Sequence, residues 1–189
     1  KNDFNIVLGD IRDYKSVYNA MEGCNVVFHL AALVGIPYSL VSPLSYIRTN
    51  IDGTYNVLES AKLHQLDQIL ITSTSETYGT AQYTPINENH PLNSQSPYSA
   101  SKVAADHLAI SYYKCYKLPI KIIRPFNIYG PRQSARAIIP TIISQMLNNY
   151  NSIQIGNLSP TRDFTYVADT CDAYLKIHAS DSLFGEVIN

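Results

Sequence analysis

Short apolar runs alternate along the chain with segments of helical periodicity, and this alternation limits the fold more than any single motif does. Residues 4–8 form a short β-rich run closed by Gly9-Asp10. Asp13 reads as the N-cap of a helix over residues 13–21. Residues 25–30, Asn-Val-Val-Phe-His-Leu, are nearly all apolar, as a strand covered on both faces requires. A long helical pattern covers residues 43–62, and a second buried strand follows at residues 68–72. Residues 77–96 are polar loop containing Pro and Asn. Residues 97–116 read as a helix with Pro97 in its first turn, 119–124 as a strand and 136–149 as a helix. Strands and helices alternating over short links predict an α/β fold built on a doubly wound parallel sheet. Ligands of such sheets gather at the carboxyl ends of the strands.

Charge excludes some partners. Fourteen Lys and Arg against 15 Asp and Glu leave a net charge of −1, without the basic excess of a nucleic-acid module. No apolar run approaches the roughly 20 residues of a membrane span, and nothing at the start resembles a signal peptide. Cys24, Cys115 and Cys171 lie far apart, which excludes a disulfide framework and a sequence-local zinc site. The five histidines are scattered without metal-ligand spacing. A cytoplasmic protein with reduced thiols and no metal is expected. The chain opens on Lys1 and runs straight into a strand-like segment, so a fragment is expected. Its eight glycines form no GxGxxG or GxxGxxG turn, the element that seats a pyrophosphate in dinucleotide-binding sheets.

The chemistry concentrates after the strand 68–72. Ser73-Thr74-Ser75-Glu76 follows it directly, and Tyr98 and Lys102 stand four residues apart, on one face of a helix. An adjacent cation favours a phenolate, so Tyr98 is expected to act as a base on a sugar hydroxyl. YxxxK is a weak motif among fifteen tyrosines, and Tyr113 with Lys117 repeats it 15 residues on. At 1.5 Å per residue the second pair lies about 22 Å away, so the two cannot share a site. Only Tyr98 stands at a helix start, where a parallel sheet places ligands, and Tyr113 is expected to be structural.

Six segments in order make the chain resemble a known group. They are Val7-Leu8-Gly9-Asp10-Ile11, His29-Leu30-Ala31-Ala32, Thr49-Asn50, Ser73-Thr74-Ser75-Glu76-Thr77-Tyr78-Gly79, Tyr98-Ser99-Ala100-Ser101-Lys102 and Arg124-Pro125-Phe126-Asn127-Ile128-Tyr129-Gly130-Pro131. Together they resemble the extended short-chain dehydrogenase/reductase group of NAD-dependent nucleotide-sugar epimerases and dehydratases. Residues 131–140 and 159–163 are most similar to 4,6-dehydratases of legionaminic-acid-type pathways, which act on nucleotide-activated N-acetylglucosamine. The resemblance implies a Rossmann-like sheet lacking its glycine-rich first βαβ segment and, after residues 185–189, a C-terminal segment. It implies an NAD-binding domain over residues 1–130. A substrate-binding region, interleaved with the end of the sheet, would cover residues 131–189. NAD binding by the fragment alone is expected to be weak.

The resemblance also assigns roles. Thr74, Ser75, Glu76, Tyr98 and Lys102 would be catalytic. Asp10 and Ile11 would contact adenine, while Leu30, Ala31 and Ala32 would let backbone approach the cofactor. Asn50, Thr72, Ser73, Pro125 and Ile128, with Tyr98 and Lys102, would complete the NAD site. Asn127, Arg136 and Arg162 would hold the nucleotide sugar, guanidinium pairing with phosphate oxygens, and Asp163 would orient Arg162 or cap a helix. Relatives pair the helices 43–62 and 97–116 into a homodimer. Glu76 favours 4,6-dehydration, because abstraction of a C5 proton needs a carboxylate base that 4-epimerisation does not. The Thr-Ser-Glu triad also occurs in UDP-glucuronate decarboxylases. A binding module without catalysis would have no need of Glu76, Tyr98 and Lys102 together. With Ser75 in the middle of the triad, the acid for the leaving C6 hydroxyl stays open among Ser75, Glu76 and water.

Overall fold

The computed structural model describes residues 4–148 and 152–189, in two compact units. The first comprises residues 1–125 and 177–189, the second residues 126–176. In the first, four strands pair in parallel in the order β1, β2, β3, β6. These are β1 (Val26–His29), β2 (Gln68–Thr72), β3 (Ile120–Ile123) and β6 (Val187–Ile188). The register aligns Val26 with Gln68, Ile69 with Ile120 and Ile122 with Val187. Central β2 and β3 are buried almost throughout, including Gln68 and Lys121 within their otherwise apolar runs. The parallel sheet of an α/β fold expected from the alternation is present.

The first unit also holds α1 (Tyr14–Ala20), α2 (Ile36–Val41), α3 (Pro43–Tyr46) and α4 (Gly53–Leu63). With them is α5 (Pro97–Tyr116), the longest of the described helices. Asp13 caps α1 as expected, accepting from the Lys15 amide. Val57, Leu58 and Ala61 of α4 and Ala109 and Tyr112 of α5 join Ile69, Ile71, Ile120 and Ile122 in one core. Each such Leu or Ile contributes about 1.5–3 kcal/mol on burial. The second unit holds β4 (Asn127–Tyr129) paired in parallel with β5 (Phe164–Tyr166), and α6 (Ile138–Leu147). α7 (Val167–Ala179) begins there and ends in the first unit.

Three expectations need correction. Residues 4–8 pair with none of the described strands; Leu8 is 94% exposed, and a β-run without a ladder partner is no strand. The helix over 43–62 is continuous but not uniformly α. A π-helical stretch, Ile47–Asp52, joins α3 to α4. There the Thr54 hydroxyl takes the Asn50 carbonyl at 2.6 Å, in competition with the helical ladder. Gly53 then meets Ile11 so closely that a Cβ would stand 2.9 Å from its Cγ2. Finally, the helix expected over 136–149 starts at Ile138, and Asn149 lies outside the described residues.

His29 ends β1 with its ring buried, Nε2 3.1 Å from the Thr54 hydroxyl. Burial, and then the Lys102 ammonium, pull its pKa down to about 3. The unfolded chain protonates this imidazole near its ordinary value of about 6.5 and the folded chain does not. Folding stability therefore falls as pH drops from about 6.5 towards 3. Between pH 7 and pH 5 this group alone should remove about 2 kcal/mol. Urea unfolding of the full protein at both pH values should show that loss in the parent and not in His29→Asn. Parallel losses in the two would contradict it.

Candidate active site

The segment that leaves β2 is fixed before any ligand arrives. The Ser73 amide donates to the Ile123 carbonyl at 2.7 Å and the Ser75 amide to Pro125 at 3.1 Å, so both follow the exit of β3. Thr74 then caps a 3-10 turn, Ser75–Tyr78, its hydroxyl accepting from the Glu76 amide at 3.2 Å. The Thr77 hydroxyl closes the turn on the Thr74 carbonyl at 2.8 Å. Gly79 ends it at φ 65°, where a Cβ would come within 2.2 Å of the Asn93 carbonyl oxygen. Only glycine fits both constraints.

The N-terminus of α5 is equally defined. Ser96 and Ser99 form a reciprocal capping box around Pro97, which holds Tyr98 in the first turn and Lys102 one turn later. Both side chains are buried, and the Lys102 ammonium donates to the Thr72 carbonyl at 2.6 Å. The phenol of Tyr98 is pushed up, first by burial and then by the charge of Glu76, while a hydrogen bond with Thr74 pulls it down. Thr74, Glu76 and Tyr98 therefore come together. This upward direction runs against the phenolate expected from the spacing, and desolvation of the buried phenol is its largest cause. Lys102 is itself pulled down by burial, with Asp106 opposing.

Neighbouring groups hold this arrangement. Asn50 is buried in the π stretch; its Oδ1 accepts from the Leu33 amide at 2.8 Å. Its amide nitrogen donates to the Leu33 carbonyl at 3.0 Å and to Ser101 Oγ at 2.9 Å, tying the loop after β1 to α5. Tyr46 donates to the Val34 and Gly35 carbonyls and sets its ring edge-on to Tyr98 at 6.0 Å. Leu30 and Ala31 are exposed at the end of β1, with Ala32 half-buried. Asp10 is clamped by Arg12, whose hydrogen bonds bring its carboxyl down to about 2. The Ile11 carbonyl accepts from Asn56 at 2.9 Å. Pro125 is half-buried beside the Ser75 amide.

The donor set fits the ribose and nicotinamide end of a dinucleotide. An ammonium has three donors; the Thr72 carbonyl takes one, and ribose hydroxyls suit the others. The methyl side chains of Ala31 and Ala32 keep backbone accessible at the strand ends, where such ligands bind.

Asn127, Ile128, Arg136 and Arg162 belong to the second unit. Asn127 and Ile128 are half-buried in β4, the Asn127 amide donating to the Asp163 carbonyl at 3.2 Å. Arg136 and Arg162 are exposed. Arg162 bonds the Thr161 carbonyl at 2.8 Å rather than the Asp163 carboxylate, so Asp163 acts through its backbone and not as the expected partner.

Comparison with known proteins now bears on this geometry. Residues 1–188 match the family described as GDP-mannose 4,6 dehydratase. The chain belongs to that family, within the extended short-chain dehydrogenase/reductases. It is 35% identical over 185 residues to a dTDP-D-glucose 4,6-dehydratase of Dictyostelium discoideum, covering 91% of this chain and 43% of that protein. It is similar in structure to DesIV, a dTDP-glucose 4,6-dehydratase from Streptomyces venezuelae solved with NAD and TYD bound. The TM-score is 0.92 and the identity 28%, over 99% of this chain and 58% of that one. A UDP-glucuronic acid 4-epimerase from Bacillus cereus, in complex with UDP-glucuronic acid and NAD, gives TM-score 0.92 and 32% identity. That match covers 100% of this chain and 60% of the other. The chain spans about half the length of the curated relatives it matches.

Within this dehydratase family chain the second YxxxK pair is structural. The Tyr113 ring packs on Gly185, where a Cβ would lie 2.1 Å from its Cε1, and Lys117 is the left-handed C-cap of α5. Sequence reasoning gave no role to Tyr46, three residues before Thr49-Asn50, to the buried Asp106, or to Arg124, although Arg124 opens one of the six segments. Tyr98→Phe in the full protein should lower turnover at least ~10²-fold with fold intact, whereas Tyr113→Phe should leave it near normal. Steady-state kinetics with circular dichroism check both, and the reverse order would put the base at Tyr113.

Proposed function

We propose that this chain carries the catalytic centre of an NAD-dependent nucleotide-sugar 4,6-dehydratase, a lyase. One observation carries the reading: the turn that bears Thr74 and Glu76 packs on the capped start of α5, which bears Tyr98 and Lys102, and Lys102 ties that helix to the strand end from which the turn departs. An alcohol-oxidising base and a second, carboxylate base thus share one site. The substrate is read as a nucleotide-activated hexose, and within that class as NDP-N-acetylglucosamine, on the resemblance of residues 131–140 and 159–163 to dehydratases of that sugar.

When bound, NAD would supply a positive ring that favours the phenolate and reversible hydride-accepting chemistry, drawing on C4 and restoring to C6 with a proton regained at C5. Tyr98 takes the proton of the C4 hydroxyl, and Thr74 holds the same oxygen. Lys102 orients the ribose while tied to the Thr72 carbonyl. Once C4 is a ketone the C5 proton is acidic, and Glu76 removes it as the C6 hydroxyl leaves as water. The proton for that hydroxyl comes from Ser75, Glu76 or water. Asp10, Ile11, Leu30, Ala31, Ala32, Ser73, Pro125 and Ile128 are assigned to the NAD surface, and Asn127, Arg136 and Arg162 to the nucleotide sugar. Asn50 serves that surface through the loop it holds.

Exposed Leu44, Ile47, Tyr55, Leu63 and Tyr116 support a homodimer through the helices 43–62 and 97–116. Three exposed cysteines without disulfides suit a reducing compartment such as the cytoplasm. Among the described residues no helix is long and apolar enough to cross a membrane. The second reading, 4-epimerisation, draws on the likeness to the Bacillus cereus enzyme, and UDP-glucuronate decarboxylation ranks third. Neither 4-epimerisation nor its intermediates touch C5.

Glu76→Gln keeps size and hydrogen bonding but removes the basic lone pair. The variant should still oxidise C4 and then stall. NADH absorbance should build up on the enzyme, and deuterium exchange at C5 in heavy water should nearly vanish. Wild-type release of the 4-keto-6-deoxy product by this variant would remove Glu76 as the base.

A further inference from the structure

Asp106 and Arg124 are a buried ion pair with no part in the chemistry above. They are 1% and 3% exposed. Asp106 lies on α5 one turn beyond Lys102 and two beyond Tyr98, and Arg124 directly follows β3. One Asp106 oxygen, Oδ2, accepts from Ser73 Oγ at 2.8 Å, from Arg124 Nε at 2.9 Å and from a terminal Arg124 nitrogen at 2.9 Å. The other, Oδ1, is buried without a hydrogen-bond partner among the described residues. Arg124 also donates to the Tyr78 hydroxyl at 3.1 Å and lies 5.1 Å from the centre of that ring. Tyr78 in turn donates to Asn189 Oδ1 at 2.7 Å.

These contacts grip the catalytic segment at both ends. Ser73 immediately precedes Thr74, and Tyr78 closes the turn that carries Glu76. The anchor for both is the helix that carries Tyr98 and Lys102. Stability alone is a poor reason for such a pair. A buried ion pair gains little over apolar groups of the same volume, and an orphaned carboxylate oxygen is a cost. An arrangement that sacrifices stability is explained by what it holds in place.

We propose that Asp106 and Arg124 are positioning residues for the active site. Asp106 sets the depth of the Ser73–Thr74 backbone against α5, and Arg124 sets the turn that presents Glu76, so that Thr74, Glu76 and Tyr98 meet. The proposal rests on the functional reading given above. It divides the labour in a testable way: the Asp106 contact governs both catalytic steps, whereas the Arg124–Tyr78 contact governs the one that uses Glu76.

The test uses the full protein and two variants, with rates expressed per folded molecule. Asp106→Asn keeps the shape and removes the charge; kcat should fall about 10- to 100-fold while KM for the nucleotide sugar stays within about 2-fold. Tyr78→Phe keeps the ring over the guanidinium and loses only the hydroxyl. It should leave formation of enzyme-bound NADH at the parent rate but slow C5 deuterium exchange several-fold. Parent kcat in both variants, with only a lower Tm, would overturn the proposal, as would a raised KM at unchanged kcat. Should Asp106→Asn fail to fold, Tyr78→Phe decides alone, parent-rate C5 exchange counting against the proposal. A parent protein inactive on every nucleotide sugar would remove the functional reading and this proposal with it. An active parent with unaltered variants would remove this proposal only.

Discussion

The hydrogen bond from the Lys102 ammonium to the Thr72 carbonyl joins helix α5 to the carboxyl end of β2, and the site is assembled around that junction. Because β2 is paired on both sides, its end is among the most rigid points of the sheet. Because α5 is capped by Ser96 and Ser99, its first turn is equally fixed. A short strand exit and a helix start, each rigid, meet at one buried ammonium. Thr74, Glu76 and Tyr98 then need only the 3-10 turn and a single glycine to face one another.

Burial sets the electrostatics of this junction. His29 is held neutral, the Tyr98 phenol is held protonated, and the Lys102 charge is disfavoured by its own desolvation. The same low-dielectric surroundings make misplacement of a charge costly, and the enclosed Asp106–Arg124 pair lies where such misplacement would begin.

Much of this was legible in the residues. The largely apolar runs at Gln68–Thr72 and 119–124 read as covered strands, and Ser96-Pro97 reads as a helix start. Tyr98 was separable from Tyr113 by its place at that opening. What was not legible depended on tertiary partners. Residues 4–8 have strand composition but no ladder to join. At the π stretch Ile11 approaches Gly53, a contact between residues far apart in sequence. Tyr98 looked destined for a phenolate because spacing shows the cation and hides the burial. Arg124 stood in a recognisable segment and Asp106 in none, but their pairing crosses from α5 to the end of β3 and no local pattern shows it.

The central claim is that Thr74, Glu76 and Tyr98 form one site for oxidation followed by elimination. Mass spectrometry of the full protein's reaction products, run with NAD and a panel of nucleotide sugars that includes nucleotide-activated N-acetylglucosamine, tests it most directly. The account predicts a product lighter than its substrate by one water. An isomer of unchanged mass would mark an epimerase, loss of carbon dioxide a decarboxylase, and either as the sole product would contradict the account.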